Sequence, residues 1–406
     1  MNNLANNTKG NVFRQLLPLL FIISIDTIGY FIVIPVIIHI FVHNEVGLLP
    51  AHTSIERRDL LFSVTLMLSP LAFIICSPVI GHLSDRYGRK KALTYALIAA
   101  CIGFILPIIG IIKKSISLIL IGRAIAGASS SSQPVAQAGI TDFTSGKQRA
   151  LYLSLIGAAM TIGMVVGPIA GSLLSLISVT TPYWFAFALS VINIILILAL
   201  YSNQKDQQCR PPTKKVSLLA YAQLIMKQRI WVLMLGFLAF ELAWSQYYQA
   251  AFLTLDQHFH YTVTKITIFT AYIGIWMFLG LTVIYKYLIK HFSIEKILLS
   301  SVVVSAISLL ICNIPNMTAQ WIMIIPATIA FGTAYPSILH IMSHRTDRHN
   351  QGYVLGFAST ILGLAWMITG LIAGPLTAAG FAWPNIVASL CMVASYPIIK
   401  FGGNCE

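Results

Sequence analysis

The chain has 406 residues, of which 57% are hydrophobic and 9% charged, whereas soluble domains carry roughly 25% charged residues. That composition excludes a water-soluble globular protein. A net charge of +14 would suit nucleic acid only if the basic residues shared one soluble face, and here they are scattered among short loops.

A hydrocarbon core about 30 Å thick takes roughly 20 apolar residues as a helix. At that length the chain gives twelve candidate spans. The first six lie near 15–42, 58–81, 91–112, 115–138, 149–178 and 183–202. The second six lie near 230–254, 266–288, 295–313, 318–342, 352–374 and 380–400. A polar, basic stretch with a Pro-Pro pair separates them. The expected organisation is a six-helix bundle over 1–202, a cytoplasmic linker over 203–229 and a second six-helix bundle over 230–406. Spans must be helices, because lipid offers no partner to a bare amide. The first apolar run is too long for a signal-peptide core and lacks a small-residue cleavage site, so it is expected to remain as a span.

An even number of spans puts both termini on one side. The loops on that side hold 20 of the 26 Lys and Arg residues and the opposite loops hold five, which predicts cytoplasmic termini. Cys76, Cys101, Cys312 and Cys391 fall in apolar runs without CxxC or Cys/His spacing. Buried free thiols are therefore expected, with no metal site. The histidine pairs His39/His43 and His340/His344 read as clusters at span ends, with pH sensing left open. Arg149, Gly167 and Gly171 have the same spacing as Gly352, Gly370 and Gly374, each offset by 203 positions. That spacing agrees with two parallel six-span repeats, an organisation many secondary transporters use.

The loop after the second span reads Gly81-His82-Leu83-Ser84-Asp85-Arg86-Tyr87-Gly88-Arg89-Lys90-Lys91. A basic turn alone explains the lysines but not the acid beside an arginine, nor the flanking glycines. Gly81 is expected to let a neighbouring helix approach, Asp85 to sit at a helix N-terminus, and Arg86 and Arg89 to pair with carboxylates. The pattern resembles the loop signature of the major facilitator superfamily. Asp26, Gly29 and Pro35 in the first span resemble the drug:proton antiporter branch, as does Arg123-Ala124-Ile125-Ala126-Gly127 in the fourth, with Ala126 where that branch usually has Gln. Gly157, Gly163, Gly167, Pro168 and Gly171 are similar to its fifth-span antiporter motif, with Ser172 at the last glycine. Gln351, Gly352, Gly356, Gly374, Pro375 and Leu376 resemble the tetracycline-efflux-like group. The loop after the eighth span has lost the signature. The ninth lacks the mid-membrane acid of tetracycline exporters, which leaves tetracycline itself in question.

Of the twelve acids, only Asp26 and Glu241 sit well inside apolar runs by this reading, and Arg123 is the single intramembrane cation. A charge at the bilayer centre costs at least about 2.5–3.5 kcal/mol, so such groups face water, a partner, or carry a proton. In the resembled family the first and fourth spans line a central cavity. Asp26 and Arg123 then either form a permanent salt bridge, or Arg123 modulates protonation of Asp26. Helical spacing places Glu241, Ser245 and Tyr248 on one face, with Gln249 beside them. Tyr30 lies one turn from Asp26, and Tyr335 is a candidate for the same cavity. Each of these aromatics singly is equally well explained by helix packing.

The resemblance implies a twelve-helix, two-repeat transporter that exports a small amphipathic solute in exchange for protons by alternating access. An uptake symporter for a small nutrient is the alternative. Asp85, Arg89 and Asp142 would form a cytoplasmic charge cluster, reinforced by Arg86 and Arg149, with the start of the eleventh span near Gly352 meeting Asp85. Small residues in the fifth span would serve close backbone packing, and Pro168 would set a bend. The proton gradient would supply the energy without a bound cofactor. A bacterial inner membrane and a monomer are expected. No nucleic acid partner and no enzyme motif such as HExxH are seen.

Overall fold

The computed structural model describes residues 2–143, 146–201, 230–345 and 351–403, with side chains from Leu16 onward except at 141–154, 158, 263, 351–353, 355–356 and 403. The expected linker at 203–229 lies outside the described residues, as do the side chains of Asp142, Arg149 and Gly352.

Every regular element among the described residues is a helix. In chain order they are α1 (Asn2–Phe31), α2 (Val33–Ile37), α3 (Ile55–Tyr87), α4 (Arg89–Ile112), α5 (Ile116–Ser129), α6 (Ser132–Phe143), α7 (Gly146–Ser175) and α8 (Thr181–Leu200). There follow α9 (Ile230–Gln257), α10 (Val263–Leu279), α11 (Tyr285–His291), α12 (Ile294–Ile311), α13 (Met317–His344), α14 (Gln351–Ala379) and α15 (Ala382–Gly403). Short π-helical stretches, Ile38–Val42 and Gly280–Ile284, extend α2 and join α10 to α11.

Among the described residues, eleven segments are long and apolar enough to cross a membrane. The remaining crossing is the fourth, where the expected continuous helix over 115–138 is instead broken into α5 and α6 at Ser130 and Ser131. The break has a local cause. Pro134 lacks an N–H, and its ring crowds the carbonyl four residues back, at Ser130. The serines before it compete for backbone acceptors, and the Ser129 hydroxyl donates to the Ala126 carbonyl at 2.6 Å. The chain is thus an all-α membrane protein of twelve spans. The first span is interrupted in the same way, between α1 and α2, where Pro35 stands four residues after Phe31.

The described chain divides into two compact units, Met1–His52 with Leu68–Pro212, and Thr53–Met67 with Thr213–Glu406. The first turns of α3 therefore pack within the second unit and the rest of α3 within the first. In the first unit, Leu16, Leu19, Ile23, Leu97, Ile140 and Ile197 form a buried apolar core from α1, α4, α6 and α8. Ile98, Ile102, Ile109 and Ile112 of α4 stay exposed, the apolar surface that a bilayer, rather than water, covers. In the second unit α9 packs on α15 and α14, and α12 packs on α13.

Candidate functional site

In the first unit the chemistry gathers where α1 meets the broken fourth span. Asp26 is 7% exposed and Arg123 3% exposed. Both line one cavity of about 10 Å³, with Tyr30, Ser69, Phe104 and Ser130 among the other walls, roughly the room of one water molecule. The Ser132 hydroxyl, at the first residue of α6, donates to Asp26 Oδ2. The neighbouring Gln133 Nε2 donates to Thr27 Oγ1 at 3.4 Å. The Arg123 guanidinium donates to the Tyr30 carbonyl at 3.2 Å and lies 4.8 Å from the centre of the Tyr30 ring. Asp26 and Arg123 thus share a cavity while each is held by a neutral partner. Ser132, which the sequence did not single out, sits where it does because the helix breaks at that residue.

The fifth-span glycines explain how α1 is held. An added Cβ on Gly163 would lie 2.5 Å from Thr27 Cβ and 2.9 Å from the Ser24 carbonyl. One on Gly167 would lie 2.8 Å from Phe31 Cβ and 3.0 Å from the Ile28 carbonyl, and one on Gly171 would strike the Ile32 carbonyl and come within 2.8 Å of Pro35. These three glycines form a stripe that seats α7 directly on the backbone of the first span, from Ser24 beside Asp26 to Pro35 in α2. The close-packing expectation finds no support at Gly157 and at Gly81. Among the described residues, neither has an atom within 4 Å of an added Cβ. On α5, Gly127 has the same role as the stripe, because an added Cβ would strike the backbone of Ser69. The Ser69 hydroxyl in turn donates to the Arg123 carbonyl at 2.9 Å.

In the second unit, Glu241 is 0% exposed, and neither of its carboxylate oxygens has a hydrogen-bond partner of standard geometry, while the Trp366 side chain faces it. Tyr335 is close enough to feel its charge. Around it the aromatic side chains interlock. Phe331 stacks on Phe240 at 4.9 Å and on Trp244 at 4.4 Å, and Tyr335 lies 6.1 Å from Phe331. Tyr248 packs 5.9 Å from Trp366. Gln249 Nε2 donates to Thr369 Oγ1 at 2.7 Å, and that hydroxyl lies 3.0 Å from Ser245 Oγ. The structure therefore brings together Glu241, Ser245, Tyr248 and Gln249 as one buried set, with the half-buried Tyr335 beside it. Trp244, Phe331 and Trp366 belong to it too, although their aromatic character alone did not mark them in the sequence.

One acid is buried without any sign of it in the sequence. Asp59 stands beside Arg57 and Arg58 and passes for a charge at a span end, yet α3 begins at Ile55 and Asp59 is 0% exposed. Its burial depends on α14, far along the chain, which no local pattern reveals. In the signature loop, Gly88 takes a φ of +92° between α3 and α4, a conformation glycine adopts without strain. Asp85 pairs with Arg89 at 3.4 Å, and Arg89 Nη1 donates to Ser84 Oγ at 3.1 Å. Arg86 lies over the Tyr87 ring at 5.2 Å. His39, at the π-helical turn, has Nδ1 2.7 Å from Glu45 Oε1. Among the described residues no group of three or more His, Cys, Asp or Glu is arranged to hold a metal.

A model of the Major Facilitator Superfamily matches residues 19–394. The chain is similar to the tetracycline resistance protein, class C, of Escherichia coli, with 26% identity over 410 aligned positions covering 96% of this chain and 97% of that protein. It is also similar to multidrug resistance protein 2 of Bacillus subtilis (strain 168), with 20% identity covering 79% of this chain and 80% of that one. In fold it resembles the human organic anion transporter MFSD10, with a TM-score of 0.74 at 15% identity, covering 96% of this chain and 99% of that one.

Proposed function

The chain belongs to the major facilitator superfamily, and from that premise we propose that it exports a small amphipathic solute in exchange for protons, by alternating access. The relatives it resembles are resistance proteins by name, which favours efflux over uptake. The site residues add a chemical reason. The observation that carries the reading is Asp26, a buried carboxyl held by Ser132 at a helix break, sharing its cavity with the Arg123 guanidinium.

That arrangement suits a proton switch. A charged carboxylate this deep is tolerated only with partners, and here a hydroxyl donor and a nearby cation supply them. Adding a proton removes the carboxylate's attraction for Arg123 and for any cationic solute, while Ser132 can turn its hydroxyl to accept instead. Discontinuous helices at membrane depth are where transporters place such groups. In the second unit, Glu241 within its aromatic surroundings is the proposed contact for the solute's cationic or polar end, with Tyr248 and Tyr335 against its apolar part. Asp85, Arg86, Arg89, Asp142 and Arg149, with the helix start near Gly352, are the proposed cytoplasmic gating set. Both termini would lie in the cytoplasm of a bacterium, with the spans in its inner membrane, and the protein would act as a monomer. No bound cofactor is needed. Proton entry yields roughly 2.3 kcal/mol per charge per 100 mV, and two protons move a solute uphill by several powers of ten.

Everted membrane vesicles with an acidified lumen test the reading, with ethidium as a fluorescent aromatic cation. Wild-type vesicles are expected to accumulate ethidium as the lumen loses protons, and Asp26→Asn vesicles to lose this proton-driven accumulation. Export that persists in Asp26→Asn, or protons and solute moving in the same direction, would sink the proposal.

A further inference from the structure

We propose that Asp59 is a second proton-binding site, loaded from the outer solution when the first turns of α3 dock on α9 and α14. It rests on the exporter reading only for which end of α3 faces outward, the end opposite the Gly81–Lys91 loop.

The site is built from four observations. Asp59 is fully buried, one turn into α3. Its Oδ1 accepts from Gln257 Nε2, at the last residue of α9, at 2.9 Å, whereas its Oδ2 has no hydrogen-bond partner. The charged groups facing it are Glu56 from its own helix and Asp256 from α9, both acids. Arg58, the residue before it, donates Nε to the Thr53 carbonyl at 3.2 Å. Finally, α14 lies against α3 with nothing between the backbones. An added Cβ on Gly374 would strike the Asp59 carbonyl and lie 2.5 Å from Ser63 Oγ, which already accepts from the Gly374 N–H at 2.7 Å. One turn earlier on α14, an added Cβ on Gly370 would lie 3.1 Å from the Met67 nitrogen.

Docking therefore strips water from a carboxyl whose charged neighbours are two like charges. An ionised Asp59 would leave one oxygen without a donor and face the repulsion of both acids. A neutral carboxylic acid escapes the repulsion and loses less on leaving water than a carboxylate does, and it keeps the acceptor that Gln257 uses. The proton comes from the outer water onto Oδ2 as the helices dock and returns to the same water as they part. Asp59 thus moves no proton across the membrane. It makes outer acidity favour the docked form, so the gradient that drives export also closes the outer end once solute has left.

The test is infrared spectroscopy of the full-length protein in liposomes. Subtracting the Asp59→Asn spectrum from wild type is expected to leave one carboxylic-acid carbonyl band, which moves but persists in Gln257→Leu. A flat difference spectrum would overturn the assignment. Should Asp59→Asn fail to reconstitute, a wild-type band set that Gln257→Leu leaves unmoved would overturn it as well. A second measurement follows labelling of Ser63→Cys by a membrane-impermeant maleimide. Relative to the same reporter with Asp59→Asn, its rate is expected to rise with outer pH by up to about tenfold per unit, the limit for one linked proton. Equal pH dependence in the two would refute the site. Neither measurement needs a transported solute, so a failed export assay and a failed Asp59 assignment remain separate results.

Discussion

The glycines of α7 carry a prediction that distinguishes packing from mere motif membership. Gly163→Ala places a methyl 2.5 Å from Thr27 Cβ, whereas ordinary van der Waals contact begins near 3.4 Å. The neighbour is the root of a side chain, and the Ser24 carbonyl lies at 2.9 Å on the same side, so rotamer changes cannot relieve the clash. Helices α7 and α1 must part by roughly 1 Å, and overpacking of this kind costs about 1–3 kcal/mol. Gly157→Ala, two turns nearer the start of the same helix, meets no atom within 4 Å among the described residues. It should be neutral or gain up to about 1 kcal/mol from better helix propensity. A further consequence falls on the site. Thr27 is the next residue after Asp26, so displacing α1 there shifts Asp26 against Ser132 and disturbs the bond between them. Thermal melts of detergent-solubilised protein should separate the two variants by several degrees. Proton-driven ethidium accumulation should survive only in Gly157→Ala. Equal melting of Gly163→Ala and Gly157→Ala would refute the idea that the stripe exists to seat α7 on α1.

Other substitutions probe the remaining groups. Asp85→Asn removes an ion pair whose acid is 69% exposed, so melting should shift by no more than about 1 kcal/mol; transport should fall sharply if the pair gates, and unchanged transport would remove that role. Ser132→Ala should leave the protein folded but impair proton-driven accumulation, read in everted vesicles; full activity would show that Asp26 does not depend on that hydroxyl. Arg123→Lys keeps the charge but loses the planar fork that reaches the Tyr30 carbonyl while covering its ring. Its accumulation of ethidium should therefore drop, and wild-type rates would reduce Arg123 to a point charge. Glu241→Gln should weaken ethidium accumulation more than that of a neutral aromatic probe, and equal loss for both would argue against a cation contact.

Reading the chain as a sequence recovers what the bilayer dictates. Span positions follow from apolar length alone, because a helix must bridge a fixed thickness whatever it packs against. The Glu241, Ser245 and Tyr248 face follows from helical spacing for the same reason. What escapes is set by contacts between distant segments. Trp366 reaches Glu241 from α14 and Phe331 packs on Phe240 and Trp244 from α13, and no spacing within α9 announces them. Asp59 looks like a loop charge until Gly374, 315 positions later, closes over it. The glycine repeat shows the boundary between the two kinds of information. Gly167 and Gly171 share their spacing with Gly370 and Gly374, and in each case the pair lies against the backbone of another helix. The partner differs, however: the end of α1 and the start of α2 in one case, the first turns of α3 and Asp59 in the other. A repeated spacing thus encodes a repeated shape of helix face, while what lies under that face depends on which helix the fold delivers. Three buried acids result, with three surroundings: a hydroxyl and a shared cation for Asp26, one amide and two like charges for Asp59, aromatic rings for Glu241. Acids so differently surrounded will not exchange protons under the same conditions, and that difference allows one chain to separate proton transfer, outer closure and solute contact.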